Sequence, residues 1–250
     1  MAGLRTLLNF PTSAAGVLNY DITYVWNTAT TTMSNGGCCC RWTVPATVTW
    51  AMFEVWGGGG GGGGACCCFS GFPGGSGSYA RKIVSNLSAG QTFTVCAGGT
   101  TNCSEVDGCA GFPSYVIQES TATVCACASG GQYGSRKCFF VIGCSYSGCP
   151  QQLCGSYIGS FGICGSGGSA KGSAYCSGST YQFMPSAPFT SGMSRPTKDG
   201  CSGYCGGCCN GGYATFPGGG GSSTYSHTTG PYCGAAGAGG LVKIYYARVA

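Results

Sequence analysis

Eight consecutive glycines, residues 57–64, constrain this chain more than any other feature. Such an octet buries no side chain and loses more backbone freedom on ordering than any other eight residues. Two outcomes are open to it. It is a flexible linker, or it is an extended helix like polyproline II, with three residues per turn and about 3.1 Å per residue. A helix of that kind makes no internal hydrogen bonds, so its amides have to pair with neighbouring helices of the same sort. The flanks favour the helix. Residues 42–56, directly before the run, are dense in β-branched and aromatic side chains, and Cys66-Cys67-Cys68 follow it closely.

Residues 42–56 read as one strand, with Pro45 near its start where a missing donor is tolerable. Further strands are expected at 79–85, 91–96, 115–118 and 121–125, separated by Gly, Pro, Ser and Asn clusters at the spacing of an antiparallel meander or sandwich. No stretch keeps a 3.6-residue apolar period. From 129 to 236 the chain is mostly Gly, Ser, Cys and Tyr, with one apolar run at Cys138-Phe139-Phe140-Val141-Ile142. Gly-Gly tracts at 167–168, 206–207, 211–212 and 218–221 suggest further extended segments stacked beside 57–64, although no strict repeat period emerges. The expected fold is all-β: an antiparallel, sandwich-like, cysteine-rich domain over 42–250 with stacked polyglycine segments. Residues 1–41, with a candidate strand at Asp21-Ile22-Thr23-Tyr24-Val25-Trp26, are either an N-terminal attachment segment or the first strand of the same domain.

Gly makes up 50 of the 250 residues and charged residues only 7%, against usual shares of about 7% and 25%. Aromatics at 12% and a net charge of +5 exclude an ordinary disordered tail. The basic residues are scattered, with no stripe and no Arg-Gly-Gly repeat, so no nucleic-acid partner is expected. No run reaches the eighteen or so apolar residues of a membrane span, so no membrane insertion is expected either. The segment Leu4-Arg5-Thr6-Leu7-Leu8-Asn9-Phe10 is too short and interrupted for a signal-peptide core.

One family matches these features. Thr43-Val44-Pro45-Ala46 leads into a strand that breaks at Trp56 into polyglycine, and Gly77-Ser78-Tyr79-Ala80 leads into another. Leu87-Ser88-Ala89-Gly90-Gln91-Thr92-Phe93-Thr94-Val95 is a turn and strand, and Gly237-Ala238-Gly239-Gly240-Leu241-Val242-Lys243-Ile244-Tyr245-Tyr246 a closing strand. The chain from about 42 to 247 thereby resembles the glycine-rich domain of bacteriophage tail fibres and tail-tip adhesins. The resemblance implies a virion protein, made in a host cytoplasm and carried in the tail. Its implied partners are other tail proteins, a host cell-surface receptor and, as an open arrangement, further copies of itself. The departure from that family is cysteine, of which this chain has 22.

So many cysteines signal a disulfide scaffold, suited to a particle released into oxidising surroundings. Cys38, Cys39, Cys40, Cys66, Cys67, Cys68, Cys201, Cys205, Cys208 and Cys209 are the candidate partners, since neighbouring cysteines in an extended chain bond in opposite directions. The rival reading is metal. Cys201, Cys205 and Cys208 have the C-x3-C-x2-C spacing of a radical iron–sulfur loop but lack the helical barrel it needs, and Cys125, Cys127, Cys205 and Cys208 could form a four-thiolate zinc site. The expectation is no metal and no cofactor.

Catalysis finds little support. His227 sits in a polar loop, and the close acid pair, Glu105 and Asp107, is two residues apart rather than across a cleft. No enzyme is expected. Tyr with Ser, Gly and Asn is the composition of adaptable binding loops, and Tyr175, Tyr181, Tyr204, Tyr213, Tyr225 and Tyr232 are the candidate receptor contacts, with lids over the glycine helices as the competing role. The function expected is a tail-fibre or tail-tip component that meets a host surface. The alternatives are a tail or capsid decoration without receptor binding, and a cysteine-rich metal-binding extracellular protein.

Overall fold

The computed structural model describes residues 20–26, 37–64, 74–99, 107–134, 143–144, 161–163, 169–170, 216–221, 234 and 236–247. Among them there are only strands, turns and extended segments. The strands are β1 (Tyr20–Trp26), β2 (Gly37–Thr43), β3 (Trp50–Trp56), β4 (Tyr79–Ser85), β5 (Thr92–Gly98) and β6 (Ser114–Gln118), followed by β7 (Thr123–Ala128), β8 (Gly143–Cys144), β9 (Phe161–Ile163), β10 (Ser169–Ala170) and β11 (Leu241–Ala247). All pairings are antiparallel. One sheet runs β1-β11-β3-β4-β9, the second β2-β5-β6-β7, and β8 pairs with β10.

The two larger sheets bury their inner faces against each other. Ala51, Phe53 and Val55 of β3, with Val242 and Ile244 of β11, meet Trp42 of β2, Phe93 and Val95 of β5, and Val116 of β6 in one core. Trp42 is its hub, with ring centroids 5.7 Å from Phe53, 5.6 Å from Phe93 and 5.5 Å from Tyr246. This is the period-2 burial expected of sandwich strands. The other face of β3 is covered as well, because Trp56, Tyr79 and Leu241 pack together there and Trp50 and Met52 lie against Ile83 and Tyr245.

The expected strand over 42–56 divides. Pro45 cannot donate to a ladder, and the chain turns there, with Val48 N donating to Pro45 O at 3.3 Å and Thr47 at φ 69°. That turn carries the chain from the β2 sheet to the β3 sheet. A second crossing, from β4 to β5, lies beside it: Val44 N donates to Gln91 O, Gly90 N to Val44 O, and Leu87 N to Thr49 O. Gly90 has φ +80°, a conformation that glycine adopts without the Cβ penalty. The Ala-Gly-Gln turn noticed in the sequence therefore closes one end of the sandwich.

Two strands from residues 1–41 belong to the sheets described above. β1 pairs along its whole length with β11, from Tyr20 opposite Ala247 to Trp26 opposite Leu241. The expected boundary at 41/42 falls inside β2, which pairs with β5 from Gly37 to Thr43. No helix among the described residues is long and apolar enough to cross a membrane.

Glu119, just after β6, accepts from Arg41 Nε at 2.8 Å and from Thr94 Oγ1 at 2.9 Å. The hydrogen bond from Arg41 is the first cause holding its carboxyl below the usual range. A carboxylate with a depressed folded pKa stabilises above its unfolded pKa, and the effect is lost as pH falls through the folded value. Arg41 is 68% exposed, so the effect is small. Glu119→Gln is expected to lower the melting temperature slightly at pH 7, with the two proteins converging once acid protonates Glu119. An equal gap at both pH values would contradict this.

Candidate functional site

At the end of the sandwich opposite the crossings, the chain leaves the strands as glycine-rich segments. Residues 57–64 follow β3, 74–78 precede β4, 98–99 close β5, 108–112 precede β6, 129–134 follow β7 and 236–240 precede β11. A further segment, 218–221, follows the cis Phe216-Pro217 bond.

These segments form a ring of six around 57–64. Gly57 N donates to Ser78 O at 2.9 Å, Gly58 N to Phe112 O at 2.9 Å and Gly59 N to Ala238 O at 2.8 Å. The next amide returns to the first neighbour, Gly60 N to Gly75 O at 3.0 Å, and Gly61 N returns to the second at Cys109 O. Partners that recur every third residue define the polyproline-II-like winding. Falling partner numbers make these neighbours antiparallel to the octet. The parallel neighbours donate instead: Gly131 N to Gly58 O, Gly134 N to Gly61 O and Gly221 N to Gly60 O, each at 2.8 Å.

The ring closes on itself. Segment 74–78 bonds to 218–221 through Gly77 N to Gly218 O and to 129–134 through Ser78 N to Ser129 O; 218–221 bonds to 236–240 through Gly218 N to Gly239 O. Segment 236–240 reaches 98–99 by Gly240 N to Gly98 O, Phe112 N donates to Gly99 O, and Gly111 N to Gly131 O completes the circuit. Backbone polar groups that would otherwise be buried unpaired are satisfied between segments. The octet is buried throughout.

Only glycine fits at the contacts. A Cβ on Gly60 would overlap the Gln132 carbonyl oxygen and lie 2.6 Å from its carbon; one on Gly57 would meet Ser129 in the same way, also at 2.6 Å from the carbon. In the ring the demand recurs every third residue. Gly74 and Gly77, Gly108 and Gly111, and Gly234 and Gly237 would each drive a Cβ into a carbonyl of the octet. Most of the residues between these glycines, such as Ser76, Cys109 and Ala110, are not glycine. This G-x-x-G spacing is the signal that the sequence reading missed, since it counted Gly-Gly doublets instead. Of those doublets, 218–221 is in the bundle; 167–168, 206–207 and 211–212 lie outside the described residues.

Serines fasten the bundle to the sheets. Ser114 Oγ accepts from Gly98 N at 2.7 Å and donates to Trp56 O at 2.6 Å, which ties β5, β6 and β3 together at the junction. Ser78 Oγ and Ser129 Oγ are 2.8 Å apart, and all three serines are fully buried.

Among the cysteines, Cys39 bridges Cys96 across β2 and β5. The register explains why: Cys39 faces Cys96, whereas Cys38 faces Ala97 and Cys40 faces Val95. Cys38 and Cys40, expected to pair, are exposed thiols, and Cys96, absent from the expected set, is the partner. Cys127 is disulfide-bonded, which removes it from the four-thiolate zinc set. Cys125 sits at the bulge of β7, and burial pushes its thiol up. Cys66, Cys67, Cys68, Cys201, Cys205, Cys208 and Cys209 lie outside the described residues, as do Tyr175, Tyr181, Tyr204, Tyr213, Tyr225, Tyr232 and His227.

Glu54, like Glu119, holds a structural hydrogen bond. Glu54 accepts from Tyr79 Oη at 2.6 Å, and burial followed by this bond pushes the Tyr79 phenol well above its ordinary range. Asp107 is exposed and Glu105 is outside the described residues. No cluster of three or more candidate metal ligands occurs among the described residues.

A family model described as a glycine-rich domain matches residues 28–247. No curated protein matches the sequence.

Proposed function

We propose that this chain, which belongs to the glycine-rich domain family across residues 28–247, is a non-enzymatic structural protein of a bacteriophage virion. It serves as a tail-fibre or tail-tip component that presents loops to a host surface. One observation carries the reading. The glycine bundle grows from one end of the sandwich, and three of its segments are entered from the far side. Gly74 packs at the level of Gly60, Gly108 at that of Gly61 and Gly234 at that of Gly62. The described chain thus resumes at 74, 108 and 234 toward the outer end of the octet. Winding at about 3.1 Å per residue makes the octet about 25 Å long. A post held by its own backbone suits adhesion, because the support does not depend on the sequence of the connections between its segments.

Tyr225 and Tyr232 lie in the connection between 221 and 234. Replacing both with Ser should reduce adsorption of assembled particles to host cells by about tenfold or more, as for aromatic contacts at an interface centre. Particle yield should stay the same. Unchanged adsorption would sink the adhesive reading and leave a decoration protein.

A further inference from the structure

The edge strand β2 carries a self-complementary pair of thiols. It is the end strand of its sheet, and among the described residues no strand lies beyond it. Cys38 and Cys40 sit two residues apart on one face of this strand, and both are exposed. They cannot bridge each other within an extended strand, because side chains at i and i+2 stand about 6–7 Å apart while disulfide Cβ atoms lie about 4 Å apart. Their partners in β5, Ala97 and Val95, offer no sulfur.

The backbone fixes how a second strand would add. Cys39 and Cys96 have Cα atoms 4.1 Å apart, the close spacing of a pair that exchanges no hydrogen bonds. The N–H and C=O of Cys39 therefore point away from β5, toward the open edge. A second β2 that runs antiparallel there would exchange both bonds Cys39 to Cys39. Cys38 of each copy would then stand opposite Cys40 of the other, in the close-spaced position already bridged by Cys39 and Cys96. The neighbours tolerate this register, since Arg41 falls opposite Gly37.

We propose that β2 is a homodimer interface, in which two copies of this chain extend the sheet edge to edge and lock it with two reciprocal Cys38–Cys40 disulfides. The oxidant is a small-molecule disulfide. A Cys40 thiolate attacks it to form a mixed disulfide and release one thiol. The Cys38 thiolate of the second copy then attacks the Cys40 sulfur, forms the bridge and releases the other thiol. Each bridge consumes two protein thiols and one small disulfide and yields two small thiols; the dimer needs two such exchanges.

The experiment mixes isotopically light and heavy full-length protein, oxidises it with oxidised glutathione and reads it on non-reducing gels and by peptide mass spectrometry. The expected product is two 25.0 kDa chains joined by light–heavy Cys38–Cys40 peptides, with Cys39–Cys96 intact. The Cys38→Ser/Cys40→Ser variant should keep its melting temperature and lose the covalent dimer. A dimer joined through other cysteines overturns the proposal. So does a monomer in which Cys38 and Cys40 carry glutathione or pair within one chain.

Discussion

Gly60→Val is expected to destabilise the protein by about 3 kcal/mol or more, at or beyond the upper end of ordinary overpacking costs. The reason is what the new atoms meet. Overpacking is usually relieved when a flexible side chain swings aside, but here the neighbour is the Gln132 carbonyl, with its carbon 2.6 Å from the added Cβ. That peptide is itself held, since Gly75 N donates to Gln132 O at 2.9 Å. Moving it breaks one hydrogen bond and displaces a ring segment that others depend on. For a chain of this size about 3 kcal/mol corresponds to a drop in melting temperature of roughly 6–12 °C. Thr121→Val, in the exposed β6–β7 turn, is the control and should change little. If 57–64 were a solvated linker, Gly60→Val would leave the melting temperature unaltered.

Removal of the Cys39–Cys96 bridge by Cys39→Ser/Cys96→Ala should cost about 4 kcal/mol. The cysteines are 57 residues apart, and the chain-entropy argument gives roughly that value for a loop of this length. The loop includes the octet and segment 74–78, glycine-rich chain with large unfolded freedom to restrict. Thermal or denaturant unfolding of the double variant against wild type measures the loss, and the variant is cleaner than reduction, which also opens the bond at Cys127. A difference below about 1 kcal/mol would mean that the sandwich core and the bundle already hold β2 on β5 without it.

The strands with plain alternation were readable from sequence. β4 lies at Tyr79–Ser85 as expected, β5 and β6 fall within two residues of their expected positions, and β11 begins at Leu241, inside the closing strand expected from Gly237. So was the behaviour of the octet, because an unpaired polyglycine helix has no internal bonds and must find neighbours. The neighbours themselves were harder to see. The ring tolerates Cys109, Ala110, Gln132 and Tyr133 between its glycines, so the pattern is one glycine in three, not a glycine run. The β2–β3 break was hidden because Val44 and Val48, both 2% exposed, keep the crossing as apolar as a strand. The Cys39–Cys96 pairing depends on a register between strands about fifty residues apart, and local spacing carries no trace of it.

Amide hydrogen exchange at residues 57–61 tests most directly whether the octet is the structural axis. Each of these N–H groups donates to a ring segment, so none can exchange without opening the bundle. The account predicts protection equal to that of core amides in β3 and β11, falling only as the whole domain unfolds. Exchange of these glycine amides at the rate of an unstructured peptide, while β3 stays protected, would contradict it.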